Sequence, residues 1–147
     1  MNLKNDQKEV LFKPIGIIHS PFKDRNEIPK QPYEGRDVKA TVEIFPEFVD
    51  GLKGLGKFSH IVLLFNFHLS HDYNLQVVPY RKNHISGVFA TKSPHRPNQI
   101  GLSIVRLESI ESNIINITNI DIIDGTPLLD IKPFIKEMDC FDMIDQN

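Results

Sequence analysis

The chain has 147 residues, of which 40% are hydrophobic and 24% charged, and its formal net charge is -2. These values are ordinary for one soluble globular domain, and the longest apolar run, residues 61–65, is far shorter than the ~20 residues of a membrane span. The polar N-terminus lacks the apolar core of a signal peptide. The single cysteine, Cys140, cannot pair within the chain, so we expect a cytoplasmic protein.

Alternating apolar and polar residues predict mostly strands, because the side chains of a strand point to its two faces in turn. The clearest alternation runs from Val38 to Phe45. Pro46 then opens a short helix, which a glycine-rich stretch ends. Asn113 marks a hairpin turn. In chain order, the predicted strands are residues 15–19, 38–45, 60–67, 85–90, 102–110, 114–123 and 129–134.

These elements predict an all-β protein, since many short strands with one or two short helices are typical of a single antiparallel β-barrel. Two connections, residues 21–37 and 69–84, are long for a compact domain, and such loops often carry function. We therefore expect a barrel domain over residues 13–135, flanked by an N-terminal tail at 1–12 and a C-terminal tail at 136–147.

Basic residues cluster in the middle of the sequence, although the chain is acidic overall. Residues 79–106 contain five basic side chains and no carboxylate, whereas residues 107–147 contain nine carboxylates and two lysines. This asymmetry allows a local positive surface suited to nucleic acid. The same asymmetry arises when charged side chains on strands and loops simply face solvent and bind no partner.

Motifs for other chemistry are incomplete. Residues 51–57 have the spacing of a phosphate-binding loop, but Phe58 stands where Ser or Thr must hold magnesium. His68 and His71 have no third histidine or cysteine nearby, so we predict no metal site. Cys140 lies in an acidic tail, which disfavours a reactive thiolate, and no Gly-x-Ser-x-Gly elbow is present. Neither metal nor nucleophilic catalysis is therefore predicted.

Polar side chains concentrate in three loop segments. Residues 28–32 place a cation and an amide between two prolines. Residues 89–98 carry a lysine, an arginine and an asparagine on a backbone stiffened by two prolines, more donors than a structural turn requires. Residues 123–127 have the composition of a tight turn. The middle segment is the strongest candidate for a binding loop.

Taken in order, these segments resemble the TsaA-like family of tRNA methyltransferases. The resemblance covers roughly residues 13–134, nearly the whole chain. Any one motif is weak, but their ordered combination is specific. The motifs are PIGIIHSPF at 14–22, PKQ at 29–31, GLKGL at 51–55, FSH at 58–60, GVFATKSPHRPN at 87–98, IGLS at 100–103 and DGTPLLDIKPF at 124–134.

The resemblance implies a β-barrel that binds S-adenosylmethionine near a homodimer interface. It also implies transfer of the methyl group to N6 of N6-threonylcarbamoyladenosine at position 37 of tRNA, beside the anticodon. Carried over by motif, the cofactor contacts fall on eleven positions: Pro29, Lys30, Gln31, His68, Leu69, Lys92, Leu102, Ile123, Asp124, Gly125 and Thr126.

The sequence departs from the family pattern at three of these positions. Lys30 and Lys92 stand where the family often has arginine, and lysine keeps the charge but loses the two-pronged donor. Leu69 stands where a polar residue is common, so we expect a backbone contact there. Many members also add a domain after the position of Phe134. We therefore expect either weaker tRNA affinity or recognition by the barrel dimer alone.

Methyl transfer needs close alignment of donor and acceptor, and positioning alone lowers such barriers by roughly 7–11 kcal/mol in favourable cases. Leu102 and Ile123 are candidates for an apolar wall against the purine. Acceptors in the turn at Asp124 would face the sulfonium. No catalytic base is assigned, and His68 and His95 are the candidates.

The modified adenosine carries a carboxylate and is flanked by phosphates, so basic side chains should contact it. Lys92, or Arg96 together with Asn98, is expected to hold the carboxylate. Arg36, Arg81 and Lys82 are expected to contact the phosphates. Three alternatives stay open: the same chemistry on another RNA or a small molecule, a barrel that binds S-adenosylmethionine or RNA without catalysis, and a barrel with no ligand.

Overall fold

A computed structural model describes residues 9–29 and 36–143. The strands within them are β1 (Gly16–His19), β2 (Lys39–Ile44), β3 (His60–Asn66), β4 (Gln76–Val77), β5 (Ser86–Gly87), β6 (Ile100–Glu111), β7 (Ile114–Thr118) and β8 (Thr126–Pro133). Six of these strands close into a barrel in the order β1-β2-β7-β6-β3-β8, and every neighbouring pair is antiparallel. The other two, β4 and β5, form a separate two-stranded sheet.

The predicted all-β barrel with few short helices is confirmed. Short 3-10 helices lie at Arg25–Glu27, Pro46–Leu52, Leu55–Lys57 and Val88–Ala90, and a single α-helical turn at Lys136–Asp139, among the described residues. The glycine-rich stretch is a helix-ending turn as predicted, because Gly54 has a left-handed φ of 85° between two of the 3-10 helices. No described helix is long and apolar enough to span a bilayer.

The core follows directly from the alternation in the sequence. On β6, Gly101, Ser103, Val105 and Leu107 point inward and are buried, while the residues between them are exposed. Aliphatic side chains from the other barrel strands meet them inside. The core side chains that are 2% exposed or less on these strands are Ile18, Val42, Ile44, Ile61, Leu63, Val105, Ile115, Ile117 and Leu128, and Ile120, after β7, joins them.

Three predicted strand bounds are wrong. Residues 85–90 contain the two-residue β5 followed by a 3-10 helix, and β4 lies in what was expected to be a loop. β7 ends at Thr118 rather than continuing to residue 123, because Asn119 adopts a left-handed φ of 68° that extended strands cannot contain. β8 begins at Thr126, three residues before the predicted start.

Candidate functional site

A cavity of about 340 Å³ opens at the end of the barrel where β3 finishes and β6 and β8 begin. Its volume lies in the range of roughly 300–1,000 Å³ that is typical of small-molecule sites. Four loops complete its wall. The lining residues are Arg25, Ile28, Pro29, Phe65, Phe67, His68, Leu69, Ser70, Lys92, Pro94, Leu102, Ser103, Asp121, Ile122, Ile123 and Thr126.

The cavity floor depends on a close approach between β6 and an aromatic ring of β3. Gly101 lies opposite Phe65 in the register of the two strands, and the ring occupies the space that a Cβ would need. Phe67 packs edge-on against Phe65, with ring centroids 5.2 Å apart. The glycine therefore lets the Phe65 ring pack against the β6 backbone, where it forms part of the cavity lining.

The turn from β7 to β8 is fixed by hydrogen bonds from the segment that follows β1. The Ser20 hydroxyl donates to the Ile122 carbonyl at 2.5 Å, and the Ser20 amide donates to the Asp124 carboxylate at 2.9 Å. Lys23 donates to the other oxygen of Asp124 at 2.5 Å. This hydrogen bond from Lys23 is the main cause that holds the pKa of Asp124 below its ordinary value, opposed in part by burial.

Asp124 and Gly125 therefore build the turn rather than line the cavity. The Gly125 amide donates to the Ile18 carbonyl at 2.8 Å, and Gly125 has a left-handed φ of 81°. The Thr126 hydroxyl donates to the Ile123 carbonyl at 2.6 Å, and both of these residues do line the cavity.

Arg25 joins three separate loops at the cavity rim. One guanidinium nitrogen lies 2.8 Å from His95 Nε2, and the other donates to the Ser70 hydroxyl at 2.7 Å and to the Leu69 carbonyl at 3.3 Å. Because arginine is always charged and lacks acceptors, His95 must accept through Nε2 in this arrangement. Sequence reasoning missed Arg25, although it precedes the proline-flanked segment by only three residues.

A carboxylate also lies on the cavity wall. Asp121 accepts a hydrogen bond of 2.8 Å from the Ser103 hydroxyl, and both residues line the cavity. Sequence reasoning missed both residues. The signal was weak, because an Asp two residues before the turn motif has no distinctive pattern. Asp121 therefore adds a negative group to a lining that also contains the cations Arg25 and Lys92.

The loop at residues 91–98 holds itself together and presents one cation. The Arg96 guanidinium donates to the Thr91 carbonyl at 2.9 Å and to the Ser93 carbonyl at 3.2 Å. Arg96 therefore braces the loop, while the exposed Lys92 lines the cavity. Asn98 lies apart, in a different surface groove with residues 9–14 and β8.

The structure brings together seven of the eleven predicted cofactor residues. Lys30 and Gln31 lie outside the described residues, and Asp124 and Gly125 flank the cavity. The seven that line it are Pro29, His68, Leu69, Lys92, Leu102, Ile123 and Thr126.

The predicted RNA contacts are dispersed instead. Arg81 and Lys82 lie between β4 and β5, where the Arg81 guanidinium stacks 5.2 Å from the Tyr80 ring centroid. Arg36 lies in a groove on the side of the barrel. Across the described residues, no group of three His, Cys, Asp or Glu side chains is placed to hold a metal ion.

Comparisons with known proteins agree on one family. A family model described as the tRNA-methyltransferase O N-terminal domain matches residues 17–140. The chain is 51% identical over 130 residues to a protein of Pyrococcus abyssi (strain GE5 / Orsay) named "Probable S-adenosyl-L-methionine-binding protein", covering 88% of this chain and 71% of that protein. It is 42% identical over 137 residues to the tRNA (adenine(37)-N6)-methyltransferase of Homo sapiens, covering 88% of this chain and 31% of that enzyme.

A solved structure shares the fold. The crystal structure of TrmO from Pseudomonas aeruginosa superposes with a TM-score of 0.79 at 39% sequence identity, covering 94% of this chain and 61% of that one. The chain therefore spans about three-fifths of the TrmO chain and less than a third of the human enzyme.

Proposed function

The chain belongs to the tRNA-methyltransferase O N-terminal domain family, and we propose that it is an S-adenosylmethionine-dependent methyltransferase that modifies N6 of an adenine in tRNA. The observation that carries this proposal is the cavity at the barrel end, where seven positions implied by the family resemblance converge. The names of the relatives, an S-adenosylmethionine-binding protein and a tRNA (adenine(37)-N6)-methyltransferase, support it. We expect it to act in the cytoplasm.

The chemistry of the cavity fits S-adenosylmethionine. That cofactor combines a flat purine with a carboxylate and two positive centres, the ammonium and the sulfonium. The cavity combines apolar walls from Leu102 and Ile123 with a carboxylate, Asp121, and two cations, Arg25 and Lys92. When bound, the cofactor supplies an electrophilic methyl group on its sulfonium.

The residues of this chain would then act by binding and orientation. Leu102 and Ile123 would hold the purine, Asp121 would attract a positive centre, and a cation at the rim would pair with a carboxylate. Within the described part of the cavity, no side chain has the arrangement of an activated nucleophile, and direct methyl transfer requires none. His68 is a lining imidazole whose side chain is half-buried, so it is the favoured candidate to take up a proton.

The finer proposal concerns the acceptor, which is N6-threonylcarbamoyladenosine at position 37 beside the anticodon. Its threonine carboxylate needs a cation near the cavity. Lys92 supports this role because it is exposed at the rim. Arg96 is already committed to two carbonyls of its own loop, and Asn98 lies in another groove, so these two are weaker candidates.

A homodimer is the proposed state of the protein, because the family resemblance implies it and many large apolar side chains of residues 69–104 are exposed. Exposed apolar surface of this extent is typical of interaction sites. We define the apolar collar as the exposed residues Leu69, Tyr73, Leu75, Val78, Tyr80, Ile85, Phe89, Ile100, Leu102 and Ile104, of which Leu69 and Leu102 line the cavity. Phe89 is 76% exposed, and we expect Phe89→Ser to convert a dimer into a monomer in light scattering coupled to gel filtration.

The first experiment measures transfer of labelled methyl from S-adenosylmethionine to tRNA with and without the threonylcarbamoyl group. Incorporation only into the modified tRNA would support the full proposal. Incorporation into both would support the methyltransferase and refute the acceptor. Cofactor binding without transfer to either tRNA would favour a non-catalytic barrel or another acceptor.

A matched pair of variants tests whether the cavity binds the cofactor. Leu102 and Ile104 are successive outward residues of β6, 59% and 45% exposed, and both belong to the apolar collar. Leu102 lines the cavity, and Ile104 is absent from its lining. Leu102→Ala should weaken S-adenosylmethionine binding in calorimetry about tenfold, the loss of roughly 1.4 kcal/mol, whereas Ile104→Ala should not. Equal affinity in both variants would place the cofactor elsewhere.

A further inference from the structure

A second large groove, of about 820 Å³, crosses the outer wall of the barrel away from the lining of the end cavity. Its position follows from the register of four strands. Lys39 of β2 pairs with Thr118 of β7, Thr118 pairs with Arg106 of β6, and Arg106 pairs with His60 of β3. These four residues form one row across the barrel, which we call the barrel row. At about 4.8 Å between strands, the row is roughly 15 Å long.

Three side chains of the barrel row, those of Lys39, Arg106 and His60, point outward. Their neighbours along each strand are the buried Ala40, Val105 and Ile61, and adjacent residues of a strand face opposite sides. Thr118 is only 9% exposed and its hydroxyl is bonded to Glu108, so the row presents two permanent cations and an imidazole on one face. Arg36, Asn116 and Asn119 line the same groove and add further donors.

The groove keeps a net positive charge although two carboxylates, Asp37 and Glu108, line it. Glu108 is already engaged, because it lies 3.3 Å from Arg106 Nε and accepts a hydrogen bond of 2.7 Å from Thr118. Arg106 keeps its two terminal nitrogens for another acceptor. Within residues 9–29 and 36–143, Arg36 and Lys39 form no ion pair. Three cations face two carboxylates, and the excess charge is positive.

This set of groups matches the backbone of single-stranded RNA. Phosphates accept hydrogen bonds from arginine and lysine, and each ribose presents a 2′-hydroxyl that both donates and accepts. The amides of Asn116 and Asn119 and the engaged Glu108 can pair with hydroxyls. No residue of the apolar collar lines this groove.

The groove is also placed to serve the end cavity. Arg106 lies four residues after Leu102 on the same outward face of β6, a distance of about 13 Å along the strand. That length corresponds to about four stacked nucleotides at roughly 3.4 Å each. Asn119 lies two residues before Asp121, which lines the cavity. An RNA strand bound on the barrel row could therefore place a nucleotide in the cavity about four nucleotides away.

We propose that the barrel row binds the phosphate backbone of the tRNA strand that flanks the nucleotide in the end cavity. The inference rests on the proposed function, since it takes tRNA as the substrate. It assigns the phosphate contacts to Lys39 and Arg106, with Arg36 beside them. Arg81 and Lys82, on the β4–β5 connection, are the rival site for the same contacts.

The test is tRNA binding measured by fluorescence anisotropy over a series of salt concentrations, using a labelled transcribed tRNA and the full chain. Loss of one phosphate contact at 0.1 M salt should weaken binding about 5- to 8-fold and reduce the salt slope by about 0.7–0.9. We expect this of Lys39→Ala and of Arg106→Ala. Affinity for S-adenosylmethionine should be unchanged in both.

Lys132→Ala is the matched control for Arg106→Ala. Lys132 is an exposed strand cation that pairs with a carboxylate two residues away, Asp130 at 3.2 Å, just as Arg106 pairs with Glu108. Lys132 is not among the residues that line the groove. We expect tRNA affinity and salt slope like those of the unaltered protein.

The outcomes separate this inference from the proposed function. Unchanged tRNA binding in both barrel-row variants would overturn the inference and leave the methyltransferase intact. Weaker binding confined to Arg81→Ala and Lys82→Ala would also overturn it, and would move the RNA to the β4–β5 connection. A protein that binds S-adenosylmethionine but no tRNA would refute the proposed substrate and this inference together.

Discussion

Replacing Gly101 by alanine should push an aromatic ring into the end cavity. A Cβ at residue 101 would lie 2.2 Å from Phe65 Cε2 and 2.4 Å from Cζ. Carbon atoms pack at about 3.5–4.0 Å, so the ring must retreat by about 1.3–1.8 Å. Closely packed core lies on the barrel side of the ring, whereas the cavity offers about 340 Å³ of open space. The ring should therefore move into the cavity.

Two measurements follow from this displacement. Forcing one extra carbon into a packed site costs about 1–3 kcal/mol, so Gly101→Ala should lower the free energy of unfolding in urea by that amount. The displaced ring should also weaken S-adenosylmethionine binding in calorimetry at least tenfold, or about 1.4 kcal/mol. The double variant Gly101→Ala with Phe65→Leu removes the clashing ring atoms and should recover part of the affinity.

Gly51→Ala is the control for the effect of adding a methyl group. No atom lies within 4 Å of a Cβ at this exposed position, and its backbone is not left-handed. Stability and affinity should stay within about 0.5 kcal/mol of the unaltered protein. If Gly101→Ala matched this control in both measurements, Phe65 would not form the cavity floor and the reasoning would be refuted.

Three further predictions test the parts around the cavity. Arg25→Ala should weaken S-adenosylmethionine binding in calorimetry about tenfold, because three loops lose their common partner. Arg25→Lys should recover little of this affinity. Full affinity in Arg25→Ala would show that the loops are held by other contacts. The pKa of Asp124 lies below its ordinary value because of Lys23. As the pH falls, the unfolded chain therefore takes up this proton before the folded chain does. The stabilisation from Asp124 is complete above about pH 4 and is lost as the pH falls below that value. The difference in unfolding free energy between Asp124→Asn and the unaltered protein should therefore shrink from pH 6 to pH 3, and a constant difference would contradict the assignment. Gly16→Ala should lower the free energy of unfolding in urea by about 3 kcal/mol, because the new Cβ would meet the Glu43 carbonyl of β2 and the backbone cannot rotate aside. A decrease below about 0.5 kcal/mol would contradict the tight approach of β1 and β2.

The candidate site was only partly accessible from sequence. Family motifs led to Leu102, Lys92 and Ile123, which the folded chain brings to one cavity. Arg25 and Asp121 were not predicted, because nothing in the local sequence distinguishes an arginine or an aspartate in a polar loop. Their relevance comes from partners 18 to 70 residues away in the chain, Ser103 and His95 among them.

The alternation of apolar residues by itself predicted an all-β barrel and the approximate positions of its six strands, although the end of β7 and the start of β8 were predicted wrongly. Burial on one face has a period of two along a strand, so the pattern of β6 could be predicted before any pairing was known. Local turn chemistry was equally predictable, as Gly54 shows by its left-handed φ in the turn that follows the 3-10 helix Pro46–Leu52.

Only the tertiary structure decided which polar residues act together. Asp124 has the sequence context of a binding turn, yet Lys23 and Ser20 engage its carboxylate from 101 and 104 residues away. Lys39 and Arg106 meet across β7 because of strand register, which depends on how the barrel closes. Such contacts join distant parts of the chain, and no local pattern of residues encodes them.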